Sequence, residues 1–243
     1  IIKLVQGDMG DSYKTRGPVS EEVFNRFPNT IKLTACAMLL AVVVAVPLGV
    51  VAAVKQNTLF DSISMVIALI GVSMPIFWLG LLLMLAFALK LGWFPSGGNE
   101  DGLKSLILPA FTVGIGLAAL MTRTTRSSML ETIRQDYITT AKAKGVSNKN
   151  AIYHHAFKNA LIPIVTVGGM QLAQVLGGSV LAETVFSYPG VGRLIVQSIE
   201  RRDIPMVTGA LILTTIIVSV VNLATDIVYA FIDPRIKSQY ARK

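Results

Sequence analysis

Residues 62–91 read SISMVIALIGVSMPIFWLGLLLMLAFALKL, an apolar run whose sole charged side chain is Lys90. Crossing about 30 Å of hydrocarbon takes roughly 20 apolar helical residues, because lipid offers no partner to an unpaired backbone amide. This run is long enough. Four others meet the same length: Ile31–Val54, Leu106–Thr122, Leu161–Val185 and Thr208–Ile232, of which Leu106–Thr122 is the shortest. The expectation is an all-α polytopic membrane helical bundle, with five spans in one domain covering residues 1–243. No low-complexity run or short repeat divides it.

Composition agrees with a bilayer protein. Hydrophobic residues make up 53% of the 243 and charged residues 15%, with a mean hydropathy of +0.62, a balance foreign to an ordinary soluble domain. The formal charge of +8 lies between the apolar runs rather than along one basic face, which argues against a nucleic-acid partner. The single cysteine, Cys36, permits no internal disulfide and no cysteine metal cluster.

An odd number of spans puts the two ends on opposite sides. Arg123, Arg126, Arg134, Lys142, Lys144, Lys149 and Lys158 crowd one connection, and Arg235, Lys237, Arg242 and Lys243 follow the last span. Cytoplasmic loops accumulate such residues, so loop 123–160 and the C-terminus are expected in the cytoplasm and residues 1–30 outside. There Pro18, Ser20, Glu21 and Glu22 read as a short outer helix before Asn29 and Thr30 lead into the first span. The chain begins at Ile1 with a polar stretch to Pro28, and a segment upstream is expected.

Loop 123–160 is long and patterned. Leu130, Ile133, Tyr137, Ile138 and Ala141 fall at i, i+3, i+7, i+8 and i+11, one face of a helix. Gly145 suits a left-handed C-terminal cap, and Ser147 an N-cap for a second helix from Asn148 to about Asn159, before Pro163 opens the next span. An amphipathic helix outside the bilayer core lies on the membrane surface or in a partner's groove. Composition leaves both open.

Inside the spans, Gly169, Ala173 and Gly177, and likewise Gly114, Ala118 and Thr122, repeat at the spacing that lets membrane helices pack closely. Gln171, Gln174 and Gly178 share another face, and Thr215, Ser219, Asn222 and Asp226 make a polar stripe. A carboxylate at a lone helix centre costs about 2.5–3.5 kcal/mol, so Asp226 should face protein or water. Both stripes are candidates to line a pathway; interhelical hydrogen bonds are the alternative for Thr215, Ser219, Gln171 and Gln174. Pro75 within GVSMPIFW (71–78) should kink the second span. His154 and His155 point about 100° apart on a helix, a poor geometry for chelating one ion, and no metal site is expected. No Gly-x-x-x-x-Gly-Lys-Ser/Thr run is present, so the chain carries no phosphate-cradling loop, and no catalytic constellation gathers at one depth.

Asp136-Tyr-Ile-Thr-Thr-Ala-Lys-Ala-Lys-Gly145 and His155-Ala-Phe-Lys-Asn-Ala-Leu-Ile-Pro163 resemble the cytoplasmic signature loop of binding-protein-dependent ABC permeases. The variant is that of dipeptide, oligopeptide and nickel importers: Thr139-Thr140-Ala141 stands where the broader family has Glu-Ala-Ala. Glu183-Thr-Val-Phe-Ser-Tyr-Pro-Gly-Val-Gly-Arg193 and Arg201-Arg-Asp-Ile-Pro205 resemble the family's last external segment, Asp233-Pro-Arg-Ile-Lys237 its C-terminal tag, and Gly7–Tyr13 with Arg16–Pro28 the loop after a first span. The first of two paired permeases is the nearer likeness.

That resemblance implies a type I-like importer permease, six spans in the intact protein with an N-terminal helix absent here, and a bacterial or archaeal cytoplasmic membrane. It implies as partners two ATP-binding subunits, a second homologous permease, an external solute-binding protein and membrane lipid. No cofactor is expected on this chain; ATP and Mg would sit on the partner subunits, so the chain is not itself an enzyme. Asp136, Tyr137, Thr140, Ala141, Gly145, His155 and Asn159 would couple to the ATPase, and Glu183, Pro189, Gly190 and Gly192 would form the external segment. Di- or oligopeptides are the expected substrates, with nickel or a nickel complex as an alternative. A rival class is an ion-coupled secondary transporter using Asp226 and Glu183, which would have no use for the long loop.

Overall fold

The computed structural model describes residues 9–232, so the expected tag at 233–237 lies outside the described residues. Helices account for the regular structure there, beside one isolated antiparallel bridge between Asp11 and Pro18.

Helix α1, Val19–Val54, is unbroken. The short outer helix and the first span expected from Ile31 are therefore one element. Asn29 and Thr30 do not cap, because their side chains are used elsewhere: the Asn29 amide donates to the Pro189 carbonyl at 2.9 Å and the Thr30 hydroxyl to Glu183 at 2.8 Å.

The second apolar run is interrupted rather than kinked. Helix α2, Leu59–Ser73, stops before Pro75, which is extended (φ −61°, ψ 130°) and heads α3, Ile76–Leu83, followed by a π-helical stretch Met84–Lys90. Proline supplies no N–H and pushes the residue before it out of the helical region. Four helices among the described residues are long and apolar enough to cross a membrane, and five if these two pieces count as one span.

Helix α4, Leu103–Ile133, runs well past the expected end at Thr122. The hydroxyls of Thr122 and Thr132 donate back to the carbonyls of Ala118 and Ser128 at 2.7 Å each, so these polar side chains sit within the helix without opening it. The helix ends before Gln135, and α5 spans Asp136–Ala143. The single amphipathic helix expected over 130–141 is thus two. Helix α6, Asn148–Asn150, a π-helical stretch Ala151–Ala156 and α7, Phe157–Gly178, follow without a gap, absorbing Pro163 where a boundary was expected. Helix α8 is Val180–Val185, α9 Val191–Glu200 and α10 Ile204–Ile232.

Two compact units are formed, and α1, α4, α7 and α10 each contribute to both. Among the described residues, the first gathers 9–38, Met74–Gly114 and Leu172–Val221. Its cores are Val19, Val23, Val191, Leu194, Met206, Ala210 and Leu213 in one cluster, and Leu33, Leu106, Ala110 and Tyr188 in another. The second gathers Leu39–Ser73, Ile115–Gln171 and residues 222–232. Val50, Ala53, Met129, Ile138, Ala151, Ile152, Ala156 and Ala160 form its core.

Candidate coupling surface and polar sites

In the second unit, α5 is held by one face and open on the other. Ile138 is 1% exposed and packs with Met129 of α4 and with Ala151, Ile152, Ala156 and Ala160 of the α6–α7 segment; Leu130 and Ile133 pack against the same cluster. Three of the five residues expected on one helix face therefore meet across the break. Tyr137 instead is 41% exposed, and Asp136, Thr139 and Thr140 are exposed with it. The Thr140 hydroxyl donates to its own helix at Asp136, 3.0 Å away.

Helix α5 ends as the sequence suggested. Gly145 has φ +89°; its N–H donates to Lys142 at 3.0 Å, and the Val146 N–H to Ala141 at 3.1 Å. These are the two bonds of a Schellman cap, and glycine reaches that left-handed φ without strain. Ser147 accepts from the Asn150 N–H at 3.3 Å, the expected N-cap. Asn159 donates to the Tyr137 hydroxyl at 2.7 Å, joining α7 to α5. His155 is half-buried and its ring meets that of His154 edge-on at 5.3 Å. Six of the seven expected coupling residues thus lie on α5, its cap and its hydrogen-bonded neighbour Asn159, and His155 lies one turn before Asn159.

The pathway candidates divide. Gln171 is 4% exposed with its side-chain carbonyl oxygen unpartnered among the described residues. Gln174, Asn222 and Asp226 are exposed, and Gly178 is the last residue of α7. The Thr215 and Ser219 hydroxyls donate within their own helix, to Leu211 and Thr215 at 2.8 Å each, rather than to another helix among the described residues. The small-residue stripe packs closely where expected, since a Cβ on Gly169 would overlap the Thr225 side chain.

In the first unit, the external candidates surround one buried carboxylate. Glu183 is fully buried and accepts from the Thr30 hydroxyl (2.8 Å), the Ser179 hydroxyl (2.9 Å) and the Arg193 N–H (3.0 Å). Thr30 in turn accepts from the Val191 N–H at 2.9 Å. Gly190 and Gly192 lie against this carboxylate, and Pro189 offers its carbonyl to Asn29. Burial, the largest influence on the Tyr188 hydroxyl, raises its pKa above the usual tyrosine value, and the nearby Cys36 and Glu183 push the same way.

Sequence reasoning misses the role of four members of these networks. Thr30 reads as a helix start, and Ser179 carries no signal. Asp61 and Arg126 form a two-pronged ion pair (2.5 and 2.7 Å) in the second unit, although the sequence offers Arg126 only as a loop charge. A lone acid at the head of an apolar run was the available signal.

Long apolar helices, an interrupted span and a capped helix–turn–helix define a polytopic transport component. The chain belongs to the family of binding-protein-dependent transport system inner membrane components, whose family model matches residues 45–238. It is 43% identical over 261 aligned positions to the dipeptide transport system permease protein DppB of Alkalihalophilus pseudofirmus, covering 96% of this chain and 78% of that protein. It is also 43% identical over 237 positions to the glutathione transport system permease protein GsiC of Escherichia coli K12, covering 98% and 77%. In fold it resembles an inward-facing structure of the MetNI methionine ABC transporter, with TM-score 0.74, 20% identity and coverage of 87% of this chain and 96% of that one. An amino acid ABC transporter gives 0.64 at 15% identity, with coverage of 89% and 94%. Membership of an importer permease family implies ATP-binding and solute-binding partners in general.

Proposed function

We propose that this chain is the membrane permease of an ATP-driven importer of short peptides, coupled through α5 to an ATP-binding subunit. The observation that supports it best is the division of α5: Ile138 anchors it, while Asp136, Tyr137 and Thr140 stay available to a partner. An anchored helix with an open polar face can receive a displacement and pass it to the helices it packs on. The dipeptide and glutathione importers among its relatives favour a peptide over nickel as cargo.

In this reading two ATP-binding subunits carry ATP and Mg, a second homologous permease completes the pathway, and an external solute-binding protein delivers the substrate. Helix α5 and the C-terminus are cytoplasmic, and Gln171, Gln174, Gly178, Asn222 and Asp226 contribute to the pathway. The rival ion-coupled carrier is less well supported, because the Glu183 carboxylate already accepts from three donors of the external segment.

The test is reconstitution with the partner subunits. Thr140→Cys should form a disulfide with a cysteine on the ATP-binding subunit, and Ala141→Arg should abolish ATP-dependent dipeptide uptake while the permease stays folded. Uptake that persists without any ATP-binding subunit would overturn the reading.

A further inference from the structure

The second unit contains an open depression of about 470 Å³ at the junction of α4, α5 and α7. Its volume falls in the range of roughly 300–1,000 Å³ that small-molecule sites occupy. Six of the residues around it are polar: Ser128, Glu131, Thr132, Gln135, Tyr137 and Asn159. Glu131 is the charged member of the lining and it is exposed.

The chemistry of this lining is specific. A carboxylate attracts an ammonium group, while amides and hydroxyls can serve the N–H and C=O of a peptide unit. Tyr137 accepts from Asn159, which leaves its own O–H to donate. The Thr132 hydroxyl already donates to Ser128 and keeps its acceptor lone pairs. Ile162 and Pro163 complete the lining and offer a surface to an apolar side chain of the ligand. A small ligand with a cationic end and amide groups would find partners for each.

We propose that this depression binds a short peptide through its free amino terminus, with Glu131 taking the ammonium and Gln135, Tyr137 and Asn159 the amides. This rests on the peptide-importer reading and adds a site to it, distinct from the pathway stripes on α7 and α10. Because Tyr137 belongs to α5 and Asn159 to α7, an occupant touches both partners of the hydrogen bond that joins these helices. A peptide bound here would therefore report its presence to the helix proposed to meet the ATPase.

The test uses the full complex with its ATP-binding subunits, without solute-binding protein, so that delivery specificity plays no part. Ile162→Cys, half-buried in the lining and given no part in holding the peptide's amino terminus or amides, is labelled with a water-soluble maleimide in a Cys36→Ser background. A dipeptide at about ten times its Kd should slow labelling about tenfold, as occupancy of one site dictates; its N-acetylated form should not, and Glu131→Gln should abolish the protection. Unchanged labelling with any peptide, in a complex that imports peptide once the solute-binding protein is added back, would overturn the site and leave the importer reading standing. Labelling slowed by the ATP-binding subunit itself, regardless of peptide, would assign the depression to that subunit and also overturn it. A wild-type complex that, with the solute-binding protein added back, hydrolyses ATP without importing peptide would instead sink the importer reading.

Discussion

A Cβ placed on Gly190 would fall inside the carboxylate of Glu183. The close approach lets the chain after Pro189 fold over a buried acid, and it makes the glycine a steric requirement. Gly190→Ala should destabilise the protein by about 1–3 kcal/mol, as overpacking does. Gly116→Ala, inside α4 with nothing near its Cβ, is the control and should be neutral or stabilising. Thermal melts in one detergent compare them.

Removing the carboxylate itself should cost more. Glu183→Ala leaves the Thr30 and Ser179 hydroxyls and the Arg193 N–H without their acceptor, at about 1–3 kcal/mol for each buried group left unpaired. Glu183→Gln retains one acceptor oxygen and should lie between Ala and the wild type. A Gln variant as stable as the wild type would show that charge is not what the site requires.

The Asp61–Arg126 pair gives a coupling prediction. Asp61→Ala or Arg126→Ala alone strands a charge and should destabilise by about 3–5 kcal/mol. The double variant should recover at least about 1 kcal/mol relative to the sum of the singles. Additive losses in a melting-based double-mutant cycle would mean the two groups act independently.

Asp203 links stability to acidity. Burial, its largest influence, raises its pKa, but hydrogen bonds from the Ser12 hydroxyl and from the N–H groups of Tyr13, Met206 and Lys14 outweigh it and hold the carboxyl below the usual value. A depressed folded pKa contributes stability above the unfolded value of about 3.9 that is lost as pH falls through the folded value. The melting difference between wild type and Asp203→Asn should be full above about pH 5 and shrink below about pH 3.9. A difference constant across that window would contradict the assignment.

For α5, Ile138→Ala should remove its anchor. The loss from a buried isoleucine is about 2–5 kcal/mol, and hydrogen exchange across 136–143 should accelerate while the long helices stay protected. Tyr137→Phe, which loses only the bond from Asn159, should cost about 0.5–1.5 kcal/mol and leave exchange in α5 nearly unchanged.

Much of this architecture was legible from length and hydropathy, since five runs long enough to span can hardly be read otherwise. Local chemistry marked α5's end equally well: Gly145 and Ser147 announce a cap whatever surrounds them. What remained hidden were tertiary decisions. Asn29 and Thr30 carry helix-start chemistry, yet α1 passes straight through them because the Pro189 carbonyl and the Glu183 carboxylate claim their side chains. Arg126 belongs to a helix rather than a loop because Asp61 neutralises it. Thr215 and Ser219 are spaced to reach a neighbour, but their nearest acceptors are on their own helix. In each case the partner lies far away in sequence or four residues behind, and a periodicity cannot tell which.

The anchoring of α5 through Ile138 has a mechanical consequence. A short rod fastened at Ile138 near its start and at Val146 just past its cap, both against one cluster, behaves as a clamped beam rather than a free hinge. A load on the open face at Thr140, between the two fastenings, would be shared by both and passed to α4 and to the turn before α7 together. Such a mounting moves its neighbours as one body, so loosening either fastening would cost stiffness before it cost position.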